Sequence, residues 1–260
     1  MQPADKYATE RQSKAADKSA LRDAATVIML RDQKTRPRIL MGKRGSSAAF
    51  MPNKFVFPGG AVDAQDSAIA LDPAMSAIGR RLLGVQADPA SVVALQAAAI
   101  REVWEETGLV LGRTGGWKTA PPPNWDSFAA TGHRPSADGF HFIFRAITPP
   151  GRPRRFDARF FLVDAGKVQG DPDDFSHASD ELSDLQWVAI DQARDFNLPF
   201  ITEVVLAEVA NFAKCGTLPD TVPFFRNDDE ESQFLRLDGA SPLTRNVVFK
   251  SPISGSESKN

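Results

Sequence analysis

Six runs of β-branched and aromatic residues alternate with three helical segments, and this alternation indicates a mixed α/β architecture. The strand-like runs are residues 25–30, 38–44, 54–57, 141–147, 158–163 and 184–190. The helical segments are residues 72–84, 88–108 and 199–216, and each begins near a proline and ends at a glycine. We therefore expect a mixed β-sheet covered by helices.

The segments outside this alternation are expected to be less regular. Residues 1–20 and 251–260 are polar with few apolar anchors, which predicts flexible ends. Residues 112–140 contain paired glycines and three consecutive prolines, so they are expected to form a long surface loop. We interpret residues 217–260 as a C-terminal extension, which leaves residues 21–216 as the main domain.

The composition narrows the functional classes. The chain has 31 Lys and Arg against 33 Asp and Glu, so it lacks the overall positive charge that favours nucleic acid as a partner. No apolar run approaches the roughly 20 residues of a membrane-spanning helix. The single cysteine, Cys215, rules out an internal disulfide and is interpreted as a small buried residue. A reducing, cytoplasmic location is expected, and the oligomeric state is left open.

The helix predicted from Asp88 to Thr107 carries Glu102, Glu105 and Glu106 on one face. At 100° per residue, this face lies almost opposite an apolar face formed by Val93, Ala97, Ile100 and Trp104. The simpler interpretation is a solvated acidic face, because like charges cost an exposed helix only about 0.2 to 0.5 kcal/mol per pair. If a loop packs on that face instead, two carboxylates about 6 Å apart repel by roughly 3 kcal/mol at a dielectric near 20. Hard oxygen ligands would then select Mg²⁺ or Mn²⁺.

Two separated stretches together resemble the Nudix box, whose pattern is G-x5-E-x7-R-E-U-x-E-E-x-G-U with U a bulky aliphatic residue. Gly60 and Asp66 match its first part, and residues 101–109, REVWEETGL, match its second part. Eight of the nine specified positions agree, and Asp66 stands where the pattern has glutamate. The spacing departs further, since 34 residues separate Asp66 from Arg101 where the pattern has seven.

An enlarged box of this kind resembles a branch of Nudix hydrolases that includes coenzyme A and acyl-coenzyme A diphosphatases. The flanking stretches LMGKR (40–44), FMPNKFVFPGG (50–60) and RRFDARFF (154–161) are also similar to that branch. The resemblance spans roughly residues 23–210. It implies a Nudix fold, an α/β/α sandwich with a mixed sheet and a helical insertion at about residues 67–93.

The resemblance also implies a metal site. By position, Glu102, Glu105 and Glu106 are the expected ligands of Mg²⁺ or Mn²⁺. Arg101 is expected to pair with nearby carboxylates, including Glu105 one helical turn away. Asp66 is a possible outer carboxylate, and its shorter side chain puts direct metal contact in question.

Glu105 and Glu181 are alternative general bases, with a solvated Glu181 as the simpler interpretation. Gly59 and Gly60 are expected to let the backbone approach metal and phosphate closely, although an ordinary turn would also use them. Arginine matches phosphate oxygens well, and the phosphate-binding candidates are Arg44, Arg154 and Arg155.

Two kinds of residue receive a weaker interpretation. Trp117 and Trp125 are candidates for stacking on an adenine, although aromatic side chains more often anchor a loop. The histidines His133, His141 and His177 show no metal-ligand spacing. They are assigned no role.

The function implied is metal-dependent hydrolysis of a phosphoanhydride bond in a nucleoside diphosphate linked to another group, with water as the nucleophile. The favoured small-molecule partner is coenzyme A or an acyl-coenzyme A, cleaved to 3′,5′-ADP and a phosphopantetheine product. The alternatives are a Nudix pyrophosphatase acting on ADP-ribose, dinucleotides or capped RNA, and a non-catalytic nucleotide-sensing module. A Nudix-fold isomerase would need a catalytic cysteine, and Cys215 is far from every motif in the sequence.

Overall fold

The computed structural model describes residues 20–48, 50–227, 231–238 and 244–250. The ends predicted to be flexible therefore lie outside the described residues, apart from residue 20. Among the described helices, none is both long enough and apolar enough to cross a bilayer.

The strands are β1 (Leu21–Arg31), β2 (Arg38–Arg44), β3 (Phe55–Val56), β4 (Gly59–Ala61), β5 (Gly112–Thr114), β6 (His133–Pro135), β7 (His141–Ile147), β8 (Arg155–Asp164), β9 (Leu182–Ala189), β10 (Val222–Asn227), β11 (Glu231–Leu237) and β12 (Thr244–Lys250). The α-helices are α1 (Ala77–Leu83), α2 (Pro89–Thr107), α3 (Asp126–Ala129) and α4 (Phe200–Cys215). Short 3₁₀ turns lie at Ala64–Ala68, Pro123–Trp125, Ala165–Lys167 and Ala193–Asp195.

The described strands form one large mixed sheet and one small hairpin. The order in the large sheet is β12-β11-β10-β7-β8-β1-β2-β3, with β4 paired to β1 and β9 paired to β2. The pairs β1–β8 and β7–β10 are parallel and the other pairs are antiparallel. The small hairpin pairs β5 with β6.

The central strand β1 explains the layered architecture. Its alternate side chains point to opposite faces of the sheet, so Val27 and Met29 join the core under α2 while Ile28 and Leu30 join the core under α4. Both faces are covered, which accounts for a nearly continuous apolar run in this strand. The predicted mixed sheet between helices is confirmed.

The elements predicted from periodicity are present with small shifts at their ends. All six predicted strands and all three predicted helices correspond to elements of the structure. Helix α2 keeps both predicted ends, since Asp88 accepts a hydrogen bond from Ala90 N and Gly108 ends the helix at φ 73°.

The helix predicted over 72–84 begins later than expected, at Ala77. Its preceding residues bond elsewhere: Asp72 N donates to Pro135 O, and the Asp72 carboxylate pairs with Arg134 at 2.9 Å. Ser76 therefore becomes the capping residue, with its Oγ accepting from Gly79 N at 3.1 Å. The insertion is tied to the hairpin before its helix begins.

The prediction that residues 112–140 form a long surface loop is wrong. This segment contains β5, α3 and β6, and it buries Trp125 and Phe128 almost completely. The glycines and prolines mark real turns, but the aromatic residues between them supply enough apolar area to fold the segment against α2.

Two further expectations concern the end of the chain. Cys215 is exposed at the last turn of α4, so its interpretation as a buried residue is wrong. Residues 222–227, 231–237 and 244–250 form three strands that extend the large sheet from β7. These strands share one sheet with strands of residues 21–216, so the sheet does not mark a boundary at residue 216. That boundary stays a prediction.

Candidate active site

Helix α2 and strand β4 bring the two separated stretches of the sequence together. β4 pairs antiparallel with β1, with Gly60 opposite Ala25, and α2 packs across the same face of the sheet. The glutamates of α2 consequently face the glycine turn rather than open solvent. Glu102 is 9% exposed and Glu106 is 1% exposed, so the interpretation of a solvated acidic face is wrong for these two residues.

The glycine pair fits closely against the carboxylates. Gly59 N donates to Glu106 Oε2 at 2.7 Å. A Cβ built on Gly60 would lie 2.4 Å from Glu102 Oε2 and 2.5 Å from Glu102 Oε1, so any side chain at this position would displace Glu102. Gly59 has φ +154°, and a Cβ there would meet Ala25 O at 2.4 Å. Both positions therefore require glycine in this arrangement.

Asp66, the last matched residue of the first stretch, lies against helix α2. The Asp66 side chain is fully buried, and its carboxylate accepts from Arg101 Nε at 3.1 Å and from Arg101 Nη2 at 3.0 Å. This fork-to-carboxylate contact joins the end of the first stretch to the beginning of the second. Asp66 is thus a partner of Arg101, and its role as an outer carboxylate stays a prediction.

Arg101 also contacts two glutamates of its own helix. Its Nη1 donates to Glu102 Oε1 at 2.7 Å and to Glu105 Oε2 at 3.0 Å, and its Nη2 donates to Ala61 O at 2.9 Å. Burial alone would lower the pKa of Arg101, but hydrogen bonding to Asp66 and the surrounding carboxylates raise the pKa instead. Arg101 is therefore held in its charged form at the centre of the acidic cluster.

The carboxylates are crowded enough to disfavour their own ionisation. Burial raises the pKa of Glu102 to about 7, against the opposing effect of Arg101. Burial also raises the pKa of Glu106 well above its ordinary value, and the neighbouring charge of Glu102 adds to this effect. The pKa of Glu105 is raised for the same reason, although its side chain is 39% exposed. Positive charge near these groups would favour their ionised forms.

In the described part of the chain, no three His, Cys, Asp or Glu side chains already converge on one metal-binding point. Arg101 Nη1 instead holds Glu102 and Glu105. The donor set nevertheless fits a hard divalent ion, because three carboxylates with raised pKa values lie on one helical face beside a glycine turn.

Two other predicted residues lie near the cluster. Arg44 Nη1 is 4.0 Å from Glu106 Oε1, and the side chain of Arg44 is 24% exposed. Glu181 is exposed at the start of β9, and its charge acts on both Glu102 and Glu106. The loop that carries Glu181 is fixed to α2 by a hydrogen bond from Ser179 N to Glu105 O at 2.9 Å.

The remaining arginines are placed differently. Arg155 pairs in register with Leu21 and donates from Nε to Thr148 O at 3.2 Å, and Arg154 is exposed beside it. Arg155 lies three residues along β8 from the level of Ala61, about 10 Å at the rise of a strand. The structure therefore does not bring Arg154 and Arg155 to the glutamates.

Trp125 takes the anchoring position, and Trp117 is half-buried beside it. Trp125 is 0% exposed, which leaves no face for stacking on an adenine, and its indole Nε1 donates to Asp66 Oδ1 at 3.2 Å. Trp117 packs beside it and donates to His133 O at 2.8 Å. The sequence carried no signal for the Trp125–Asp66 contact, because 59 positions separate the two residues in a segment expected to be a loop.

Comparison with known proteins is consistent with this geometry. The family model of the NUDIX domain matches residues 90–209, which begins at α2 and leaves the first half of the split box outside the match. The Caenorhabditis elegans protein named "Putative nudix hydrolase 7" is 31% identical over 182 residues, 65% of this chain and 52% of that protein. The chain thus spans about half the length of this curated relative.

A solved structure shows the shared fold. The NUDIX hydrolase from Alicyclobacillus acidocaldarius superposes with a TM-score of 0.57 at 24% identity, over 77% of this chain and 97% of that protein. The predicted Nudix fold is confirmed, and the predicted class of Nudix hydrolase is supported by the domain match and the curated relative. Residues 90–209 are thus similar to the NUDIX domain, and the chain shares the fold of that solved hydrolase.

Proposed function

We propose that this chain hydrolyses a phosphoanhydride bond in a nucleoside diphosphate linked to another group, with the help of a divalent cation. The observation that carries the proposal is the contact between the buried glutamates of α2 and the Gly59–Gly60 turn. Gly59 N binds Glu106, and Gly60 leaves no room for a side chain beside Glu102. A surface acidic helix would not need this fit.

Glu102, Glu105 and Glu106 are the proposed ligands of Mg²⁺ or Mn²⁺. A bound ion of this kind would polarise the phosphoryl oxygens and lower the pKa of a nearby water. Glu102 and Glu106 are buried on the face that meets the turn, while the partly exposed Glu105 can rotate away from Arg101 to join them. Arg101 then keeps its two bonds to Asp66, which preserve the orientation of the helix face.

Arg44 is the proposed phosphate contact. Its Nε is buried without a hydrogen-bond partner among the described residues, and its Nη1 lies 4.0 Å from Glu106. A buried donor without a partner is costly, and a phosphate oxygen at this position would satisfy it. Arg154 and Arg155 are not included, because they lie along β8 away from the cluster.

Glu181 is the proposed general base. Its side chain is exposed and makes no hydrogen bond or ion pair among the described residues, while its charge is felt by Glu102 and Glu106. Glu105 is the alternative, but its carboxylate is also a proposed metal ligand. An unengaged carboxylate beside the cluster is better suited to accept a proton from water.

Coenzyme A or an acyl-coenzyme A is the proposed substrate, cleaved by water to 3′,5′-ADP and a phosphopantetheine product. The support is the resemblance of the enlarged box and its flanking stretches to that branch. The insertion that enlarges the box also builds part of the domain, since Met75, Leu82 and Leu83 join the core under α2. The insertion is therefore packed as part of the domain core.

The decisive experiment is a panel of diphosphates assayed with Mg²⁺ and with Mn²⁺, with products identified by mass. The panel contains coenzyme A, an acyl-coenzyme A, ADP-ribose, a dinucleoside polyphosphate and a capped RNA. We expect the highest kcat/KM on a coenzyme A substrate. A preference for another member replaces the substrate assignment, and binding without turnover on every member favours a nucleotide-sensing module.

A further inference from the structure

We propose that Trp125 is a positioning residue that fixes Asp66 and, through Arg101, the glutamates of α2. The contact is a hydrogen bond from the indole Nε1 to Asp66 Oδ1 at 3.2 Å, with both side chains fully buried. Among the described residues, the side-chain hydrogen bond of Trp125 goes to Asp66, so its influence on the site is proposed to pass through that carboxylate. The inference rests on the proposed function and adds one residue outside the Nudix box to that site.

The hydrogen bonding of Asp66 shows why the indole matters. An ionised carboxylate has two oxygens with about four acceptor positions. Oδ1 accepts from Arg101 Nε at 3.1 Å and from Trp125 Nε1 at 3.2 Å, while Oδ2 accepts from Arg101 Nη2 at 3.0 Å and from Asp63 N at 2.8 Å. Four donors meet four acceptor positions in a site closed to water. Without the indole N–H, one acceptor position of Asp66 Oδ1 has no donor, and the carboxylate is less restrained against rotation.

The position of Trp125 is itself fixed by packing. Its ring lies 5.3 Å from that of Phe128 and 5.9 Å from that of Trp117, in a cluster that also includes Trp104 of α2. The 3₁₀ turn Pro123–Trp125 is followed directly by helix α3, so the backbone of Trp125 belongs to a continuous helical element. The donor is thus held at a constant place relative to α2.

Both oxygens of the short Asp66 side chain are held by donors besides Arg101. The side chain of Asp66 is one methylene shorter than the residue in the resembled pattern, so its carboxylate must be brought closer to Arg101 by the backbone. The 3₁₀ turn Ala64–Ala68 does this, with Asp63 N bonded to Asp66 Oδ2. Trp125 holds the opposite oxygen, so the carboxylate is clamped from both sides.

The route from the clamp to the glutamates is continuous. Arg101 binds Asp66 through Nε and Nη2 and binds Glu102 and Glu105 through Nη1. A guanidinium group is planar and rigid, so a rotation of the Asp66 carboxylate turns the whole group. The oxygens of Glu102 then shift with it, and so do those of Glu105 while Glu105 stays bound to Arg101.

The test replaces Trp125 by phenylalanine. This change keeps a six-membered aromatic ring in the cluster and removes the five-membered ring that carries the indole N–H. The matched control is Trp117→Phe, because Trp117 packs in the same cluster but donates to His133 O. Circular dichroism checks the fold of both variants. Mn²⁺ affinity is measured by calorimetry on the substrate-free proteins, and kcat and KM are measured at saturating metal.

We expect Trp125→Phe to weaken Mn²⁺ binding about tenfold and to lower kcat about tenfold, with KM within about twofold of wild type. Trp117→Phe should change none of these by more than about twofold. Equal effects in the two variants overturn the positioning role, because they reduce it to general packing. Failure of the wild-type protein to bind Mn²⁺ overturns the metal site and this inference together, whereas normal wild-type binding with unaffected Trp125→Phe overturns this inference alone.

A second measurement does not depend on the folding of Trp125→Phe. The chain has four tryptophans, so a ¹H–¹⁵N spectrum shows four indole signals, and Phe variants of Trp104, Trp117 and Trp187 identify the fourth as Trp125. A hydrogen bond to a buried carboxylate predicts that the Trp125 signal lies downfield of that of Trp104, which donates to the hydroxyl of Ser127. A Trp125 signal upfield of that of Trp104 contradicts the proposal.

Discussion

Arg101 and Asp66 stand 35 positions apart in the sequence, yet the Arg101 guanidinium meets the Asp66 carboxylate through two bonds of 3.0 and 3.1 Å. This contact explains how a signature can be split by an insertion and still be assembled. The insertion begins after Asp66 and ends at about residue 93, inside α2, whose capping residue is Asp88. The two halves of the signature are therefore close in space although they are distant in the sequence.

The Asp66–Arg101 pair should contribute strongly to stability. Asp66→Asn weakens the two charge-assisted hydrogen bonds that the buried Arg101 makes to this side chain, and we expect the free energy of unfolding to fall by roughly 1.5 to 3 kcal/mol. Denaturant titration measures this change. The control is Asp138→Asn, which removes the ion pair between Lys167 and a carboxylate that is 44% exposed. This change should lower the free energy of unfolding by no more than about 1 kcal/mol. Equal losses in the two variants would contradict the buried role of Asp66.

Gly60 should be intolerant of a side chain because of Glu102. Gly60→Ala places a methyl group within 2.5 Å of the Glu102 carboxylate, so Glu102 must move and turnover should fall about 100-fold or more. Gly45→Ala is the control, since nothing lies within 4 Å of its added Cβ. Steady-state kinetics on the best substrate of the panel checks both variants. Wild-type rates in Gly60→Ala would show that Glu102 does not need its present position.

Glu106 should be essential for metal-dependent turnover and dispensable for folding. Glu106→Gln keeps the volume and an oxygen that accepts from Gly59 N, but removes the negative charge. We expect a loss of at least 100-fold in kcat/KM with an unchanged circular dichroism spectrum. Glu203→Gln, at an exposed position on α4, should leave the rate unchanged. Retention of activity in Glu106→Gln removes this residue from the ligand set.

Glu181 and Glu105 can be separated by measuring rate and metal affinity together. If Glu181 is the base, Glu181→Gln lowers kcat about 100-fold while Mn²⁺ affinity stays within about threefold. Glu105→Gln should weaken Mn²⁺ binding as well as turnover, because Glu105 is a proposed ligand. The opposite pattern, with normal kcat in Glu181→Gln, would assign the base to Glu105.

The insertion should behave as part of the core. Leu83 is 1% exposed in the cluster under α2, so Leu83→Ala should reduce the free energy of unfolding by about 2 to 5 kcal/mol. Ile78 lies on the same helix but is 67% exposed, and Ile78→Ala should change stability by no more than about 0.5 kcal/mol. Thermal or denaturant unfolding distinguishes the two. A negligible effect of Leu83→Ala would mean that α1 packs only loosely.

Local patterns were sufficient for much of the fold. The run at 25–30 predicted β1 because a strand covered on both faces must be apolar throughout. Asp88, Pro89 and Gly108 predicted the ends of α2 because the capping of a helix depends on adjacent residues. The box motif likewise predicted which residues of α2 and of the glycine turn lie together.

Contacts made over long distances in the sequence were not predictable in this way. The segment 112–140 looked like a loop, because its turns are visible locally while the partners of Trp125 and Phe128 lie on other elements. Helix α1 begins late because Asp72 is taken by Arg134, 62 positions further along the chain. Arg155 belongs to a stretch that the resemblance included, but its register position lies about 10 Å along β8 from the level of Ala61.

The central claim is that the buried glutamates of α2 and the Gly59–Gly60 turn form a divalent-cation site. The most direct measurement is an anomalous difference map from crystals soaked in Mn²⁺. The account predicts the strongest peak within about 2.5 Å of carboxylate oxygens of Glu102 and Glu106, beside the glycine turn. A peak that appears only elsewhere, with the carboxylates still bound as in the metal-free protein, would contradict it.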